Sequence, residues 1–357
     1  MMARLIPISG CGNKAPACFL VETRGARLLL DLGYGPQPGV WPDVNGVGRV
    51  DAVLLSHSHP DHAGALKLLP DVGNPRVYAT DIVRRLLPPG VETLSLPLND
   101  TSEVCGVRVT TGRSGHAPGG IWLHLDVGDG LLYMGDCSVE SIVYAYDPPQ
   151  RASTLILDAS YGAYDASLPD CVPPFDRIAA EGPVLLPLPG AGRGPEIALH
   201  FAARETPHLG DAMRARLEQL AGEDRPCRRD SVADRLLERA RHATRISEPQ
   251  GVMLASGPDA DAGESAPLVA AWENARTPAI VFTGYLPPGT PAERLTQSGR
   301  AKYLRWNVHP RLSDNALLVR ETGARTVLPA FGDARHRPAW QSAFAPAKVV
   351  MEGPVSL

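Results

Sequence analysis

One turn, Ser56-His57-Ser58-His59-Pro60-Asp61-His62, constrains this chain more than any other stretch. It follows an apolar run at 51–55 and precedes a segment of helical spacing at 61–69, so it reads as a strand-to-helix turn. His57, His59, Asp61 and His62 fall within six positions and can converge on a small volume. Imidazole and carboxylate together suit zinc, with manganese or iron as weaker fits. Two further groups belong with this turn. His116 lies in the glycine-lined loop Ser114-Gly115-His116-Ala117-Pro118-Gly119-Gly120, and Asp136 ends an apolar run in Tyr133-Met134-Gly135-Asp136. Each alone reads as an ordinary loop or strand-end residue; beside the histidine turn, each becomes a candidate ligand.

The surrounding pattern sets the fold class. Short apolar runs at 17–22, 26–32, 50–56, 76–79, 107–111, 121–127, 131–135 and 154–158 are bounded by turn formers, as strands are. Helical spacing appears between them at 61–69 and 81–87, so the chain is α/β and layered. Helical segments at 194–203, 211–220 and 230–244, the last with Asp230 or Ser231 placed to cap it, then alternate with strands at 184–188, 251–255 and 279–283. This reads as an α/β insertion over 166–298 that caps the first sheet. It divides a domain whose parts are 1–165 and 299–357, the latter with strand, helix and strand at 308, 313–321 and 326–329.

Composition narrows the function classes. With 44% hydrophobic and 21% charged residues, the chain is neither collagen-like, coiled-coil nor low-complexity. A net charge of −4 gives no overall attraction for a polyanion, which would need a local patch or a metal. Six dispersed cysteines without a Cys-x-x-Cys pair point to reduced thiols in the cytoplasm. The start of the chain lacks a signal peptide's apolar run and no stretch approaches a membrane span, so no membrane partner is expected.

The His-x-His-x-Asp-His turn, the later His116 and the Gly-Asp at 135–136 resemble the metallo-β-lactamase-fold hydrolases. Four more stretches resemble that fold's β-CASP branch, which includes RNase J-type and cleavage and polyadenylation nucleases. Leu155-Ile156-Leu157-Asp158-Ala159-Ser160-Tyr161-Gly162 is similar to the branch's acidic motif A, and Asn307-Val308-His309-Pro310 to its motif B. The segment 186–196, with Gly192-Arg193-Gly194-Pro195-Glu196, resembles the opening of the branch's cap, and Val281-Phe282-Thr283-Gly284-Tyr285 its close. The resemblance implies an αββα sandwich with an inserted, shortened β-CASP-like cap. It also implies a first metal on His57, His59 and His116, with Asp136 bridging to a second on Asp61 and His62. Zinc, one or two ions per chain, is the implied cofactor, with manganese or iron as alternatives.

A metal-bound hydroxide would then attack a phosphodiester, with Asp61, Asp158 and His309 as the catalytic side chains and Asp158 and His309 acting near the leaving oxygen. One position departs from the pattern: Phe331 stands where the branch has its motif C histidine, and Phe331 cannot bind a metal. His336, five residues on, is either a substitute ligand or an exposed histidine between Arg335 and Arg337. Arg193 is either a substrate-phosphate contact at a helix N-terminus or a surface arginine at a tight turn. Three readings of function follow. The first is a metal-dependent nuclease acting on RNA or single-stranded DNA. The second is a hydrolase of a small ester or phosphoester, and the third a non-catalytic scaffold with a partly lost metal site. A homodimer is compatible with each.

Overall fold

The structure is a computed structural model that describes residues 3–201 and 206–357. The end of the expected helix at 194–203, Ala202 and Ala203, lies outside the described residues, as does Arg204. The chain divides into two compact units. The first comprises Met1–Val139, Ala145–Asp165 and His309–Leu357; the second comprises Glu140–Tyr144 and Ala166–Val308.

Two mixed sheets of seven strands build the first unit. One orders its strands Val355–Ser356, Arg4–Ser9, Cys18–Glu22, Arg27–Leu30, Ala52–Leu54, Arg76–Thr80 and Thr93–Leu96. The other runs Lys348–Val349, Thr326–Ala330, Thr154–Asp158, Leu131–Tyr133, Ile121–Leu125, Val107–Arg113 and Thr101–Val104. Successive side chains on a strand point to opposite faces, and this alternation sorts the apolar residues into layers. Leu28 and Leu30 enter a core between the sheets with Phe19, Leu54, Leu123, Leu125, Tyr133 and Ile156. Leu29 points the other way, into a layer with Val53, Leu55, Leu66 and Val83 that carries the helical segments at 60–86. On the far face of the second sheet, Leu132, Leu155, Leu157 and Val327 pack on Val319 and Trp340 of the helices Leu312–Thr322 and Arg337–Ala343. Helix, sheet, sheet, helix is the expected sandwich.

The second unit is built on a five-stranded sheet, parallel throughout. Its order is His208–Leu209, Val252–Ser256, Val184–Leu188, Ala279–Phe282 and Ala301–Tyr303. Parallel strands flanked by helices are buried on both faces and read as unbroken apolar runs, and all five residues of Val184–Leu188 are buried. The strand Ala301–Tyr303, where the sequence suggests a return to the first domain, pairs instead with Ala279–Phe282.

Local structure differs from the sequence expectation at three places. The segment at 61–69 is a short helix, Pro60–Ala63, followed by a 3-10 turn, Leu66–Val72, because Gly64 and Pro70 interrupt a continuous helix. The segment at 230–244 begins with a 3-10 turn, Asp230–Val232. The helix proper is Ala233–His242, with Val232 rather than Asp230 or Ser231 at its N-cap. Val308 lies in no strand. No helix among the described residues is long and apolar enough to cross a membrane.

Candidate metal centre

The histidine turn leaves the strand Ala52–Leu54 and runs into the helix Pro60–Ala63, with Pro60 in its first turn. The turn is fixed by backbone bonds from another loop: Ala17 N–H donates to Asp61 O at 2.8 Å and Leu32 N–H to His62 O at 2.9 Å. Gly33 permits this approach, since a Cβ there would lie 1.8 Å from Asp61 O. His116 is carried by the loop between Val107–Arg113 and Ile121–Leu125, where Ile121 N–H donates to Ser56 O at 3.0 Å and ties it to the histidine turn. Gly115 adopts φ +73 there, and its own Cβ would lie 2.1 Å from Ser138 O. Asp136 follows the strand Leu131–Tyr133, and Asp158 ends the strand Thr154–Asp158.

Folding brings eight of these side chains together in the first unit. His59 Nδ1 lies 3.1 Å from both His57 Nε2 and His116 Nε2. Asp136 Oδ2 is 3.9 Å from His57 Nε2 and 3.5 Å from His116 Nε2. A tetrahedral ion with bonds of about 2.0–2.1 Å separates its ligands by roughly 3.3 Å, so these four atoms are arranged as a coordination shell. Asp136 turns its other oxygen, Oδ1, to within 3.2 Å of His62 Nε2. Both atoms are buried and neither makes an aligned hydrogen bond. Asp61, His62 and Asp136 form a second cluster, and Asp136, Asp158 and His309 a third. His309 Nδ1 lies 2.7 Å from Asp158 Oδ2, whose carboxylate also accepts from the backbone N–H groups of Cys137 and Ser160.

The electrostatics follow from burial among mixed charges. Burial, with the neighbouring histidines, pushes His57 well below the ordinary imidazole value, and burial pushes His59 down to about 4. Neutral rings with lone pairs facing one another are what a cation requires. At His62 burial acts in the same direction, but the carboxylates of Asp136 and Asp31 outweigh it and raise its pKa well above the ordinary value. Burial alone would raise Asp136; His62, His309 and His116 overcome that and hold it well below the carboxylate range. Cluster and fold together suit a divalent metal.

Three residues beyond the motifs take part. Asp31 is fully buried and accepts from Ser56 N at 2.6 Å, Ser56 Oγ at 2.6 Å, His62 Nδ1 at 2.7 Å and Tyr133 Oη at 2.5 Å. Because the Ser56 hydroxyl proton goes to Asp31, Ser56 Oγ can accept from His57 Nδ1 at 3.1 Å, which leaves His57 Nε2 unprotonated towards the cluster. Asp31 was visible as an acid at the end of an apolar strand, the signal that marks Asp136 and Asp158. Tyr133 reads in sequence only as a strand residue. Lys14, whose Nζ lies 3.5 Å from Asp61 Oδ2, stands in a polar loop with no sequence signal. Desolvation would lower its pKa, but Asp61, Asp136 and Asp158 outweigh that and raise it.

The remaining sequence candidates fall elsewhere. Phe331 is buried, with φ 62, and its ring centroid stands 4.9 Å from that of His62. His336 belongs to none of the His/Asp clusters among the described residues. Its ring lies over Gly162, 6.0 Å from Trp340, because the turn Ala334–His336 directs it there. Arg193 opens the helix Arg193–Phe201 in the second unit. Its guanidinium donates to Thr283 O at 2.5 Å and packs on Gly284, a structural engagement rather than an outward-facing one.

Residues 12–181 match the metallo-beta-lactamase superfamily. The chain is 26% identical over 251 residues to transcription termination factor FttA of Methanothermobacter thermautotrophicus, covering 55% of this chain and 39% of that protein. It is 27% identical over 231 residues to an RNase J-like protein of Methanocaldococcus jannaschii, covering 53% and 52%. Endoribonuclease ysh1 of Schizosaccharomyces pombe is 24% identical over 354 residues, covering 80% and 46%. The chain thus spans about two fifths to one half of the length of these curated relatives. A crystal structure of a protein of unknown function from Enterococcus faecalis V583 matches it end to end, with TM-score 0.63 and 14% identity, a likeness of fold.

Proposed function

Starting from a chain that carries a metallo-beta-lactamase domain and has relatives of the β-CASP branch, we propose a metal-dependent phosphodiesterase that cleaves RNA or single-stranded DNA. One observation carries the reading: His57 Nε2, His59 Nδ1, His116 Nε2 and Asp136 all lie within 4.8 Å of one another, with the three ring nitrogens spaced as ligands are. These residues would hold the ion, and a nitrogen-rich donor set of three imidazoles and one carboxylate favours zinc. When bound, such an ion supplies Lewis acidity and makes water a nucleophile near neutral pH.

The chain's own residues do the rest. Asp31, through Ser56, fixes the His57 tautomer that presents Nε2 to the ion. Asp158, held by two backbone N–H groups, accepts from His309 Nδ1 and fixes that ring. His309, whose side chain is 12% exposed, would act as general acid at the departing oxygen by giving up the second proton of the imidazolium ring, while its Nδ1–H stays on the Asp158 carboxylate. Asp61 and His62 complete the negative and imidazole-rich wall beside Asp136. All six cysteines are free, in keeping with a reducing, cytoplasmic setting.

The test is cleavage of end-labelled single-stranded RNA and DNA by zinc- or manganese-loaded protein, with His116→Ala prepared in parallel. Cleavage by the wild type that falls at least a hundredfold in the variant is expected. Absence of cleavage on both polymers by the loaded wild type, or undiminished cleavage by the variant, refutes the reading.

A further inference from the structure

The first cluster fits a divalent ion; the second does not. Asp61, His62 and Asp136 supply three donors to it, and the residue packed beside them where the resemblance places a histidine is Phe331, whose apolar ring lies 4.9 Å from that of His62 between centroids and offers no donor. A single positive charge already stands there. Lys14 Nζ lies 3.5 Å from Asp61 Oδ2 and 5.8 Å from the centroid of the Phe331 ring, within range of a cation–π contact.

Backbone bonds fix this placement from both sides. Phe331 N–H donates to Gly10 O at 2.7 Å, Ala334 N–H donates to Gly12 O at 2.9 Å, and Cys11 bridges to Ala330. At its other end, the same loop is tied to the histidine turn by Ala17 N–H on Asp61 O, at 2.8 Å. The segment 10–17 is thus laced to the chain at Phe331 and at Asp61, and Lys14 lies between the two attachments. An ammonium group carries its charge at neutral pH and needs no shell of four donors. A second ion would have to share Asp61 with it.

We propose that the Lys14 ammonium takes the place of a second divalent ion, so that the chain binds one metal per molecule, on His57, His59, His116 and Asp136. The proposal rests on the metal-dependent reading above and deepens it. Phe331 and Lys14 act as a pair: the phenylalanine withdraws a ligand, and the lysine supplies the missing charge beside Asp61.

The test counts metal without substrate. Wild type, Phe331→His, Lys14→Met, Lys14→Arg and the double variant Phe331→His/Lys14→Met are saturated with zinc and gel-filtered, and zinc per chain is measured by elemental analysis. Circular dichroism and thermal melting verify that each variant is folded; Lys14→Arg preserves the charge should Lys14→Met prove unstable. One zinc is expected for wild type, Lys14→Arg and Phe331→His, and two for the double variant. Two zinc ions in the wild type or in Phe331→His overturn the role of Lys14 while leaving the metal-dependent reading intact. So does a folded double variant that still holds one. A wild type that binds no zinc overturns both.

Discussion

Asp31→Asn perturbs the first side chain behind the metal centre without changing its shape. Asp31 adopts φ 60, a conformation that asparagine tolerates as well as aspartate, so the backbone carries no new strain. What changes is the number of acceptors. Asp31 Oδ1 accepts from Ser56 N, and Oδ2 accepts from Ser56 Oγ, His62 Nδ1 and Tyr133 Oη, all in a fully buried setting. The least costly amide orientation keeps the oxygen at the Oδ2 position and points the NH2 at the Ser56 N–H, leaving two buried donors face to face. That costs about 1–3 kcal/mol, and three charge-assisted bonds become neutral ones of roughly half the strength. Relief from burying a charge offsets part of this, for a net loss of about 3 kcal/mol. The Ser56 hydroxyl keeps an acceptor at the Oδ2 position, but a neutral one, and the clash at the Ser56 N–H displaces the residue, so its hold on the His57 tautomer weakens and metal affinity should fall about 10–100-fold. Chemical denaturation of the metal-free protein measures the first effect, and zinc competition with a chromophoric chelator the second. A variant that unfolds within about 0.5 kcal/mol of wild type and binds zinc equally well would refute the assignment of Asp31 as the centre's anchor.

Other consequences follow from single contacts. Glu196, buried in the second unit, accepts from Ser141 Oγ and, at 2.7 Å, from Trp306 Nε1, yet burial raises its pKa from 4.5 to about 7. The unfolded chain therefore releases this proton first as the pH rises from about 4.5 to 7. Stability falls across that window, by up to about 3 kcal/mol. Glu196→Gln should flatten the dependence and be more stable than wild type at pH 8 but not at pH 4; parallel denaturation curves at both pH values would contradict this. At Gly33→Ala the new Cβ would lie 1.8 Å from Asp61 O, so the histidine turn must move by about an ångström. A displacement of that size should lower cleavage about a hundredfold and weaken zinc binding, and wild-type values of both would refute the close-approach argument.

How much of this was legible depended on whether a signal is local. The motif residues His57, His59, Asp61, His62, His116, Asp136, Asp158 and His309 sit in strand-end turns, and polar residues at strand ends stand out against apolar runs. All eight fall together in the first unit. Leu28, Leu29 and Leu30 alternate between layers in the structure, but as an unbroken apolar run they mark only a strand, and the sandwich was legible through the resemblance of the motifs. Edge strands such as Val355–Ser356 and Lys348–Val349 are two residues long, and no periodicity survives at that length. Ala301–Tyr303 escaped for a related reason, since only its pairing with Ala279–Phe282 reveals it.

The sequence by itself determined the candidate donors and most of the order of the elements, because each is written in neighbouring residues, and Phe331 stood out only against the pattern that the motifs resemble. Only the tertiary structure decided what stands around those donors. It turned His336 onto Gly162, engaged Arg193 with Thr283, set Asp31 beneath the histidine turn and brought Lys14 to Asp61. Those contacts join residues far apart in the chain through backbone bonds between loops, and no local pattern encodes a bond whose partner lies across a sheet.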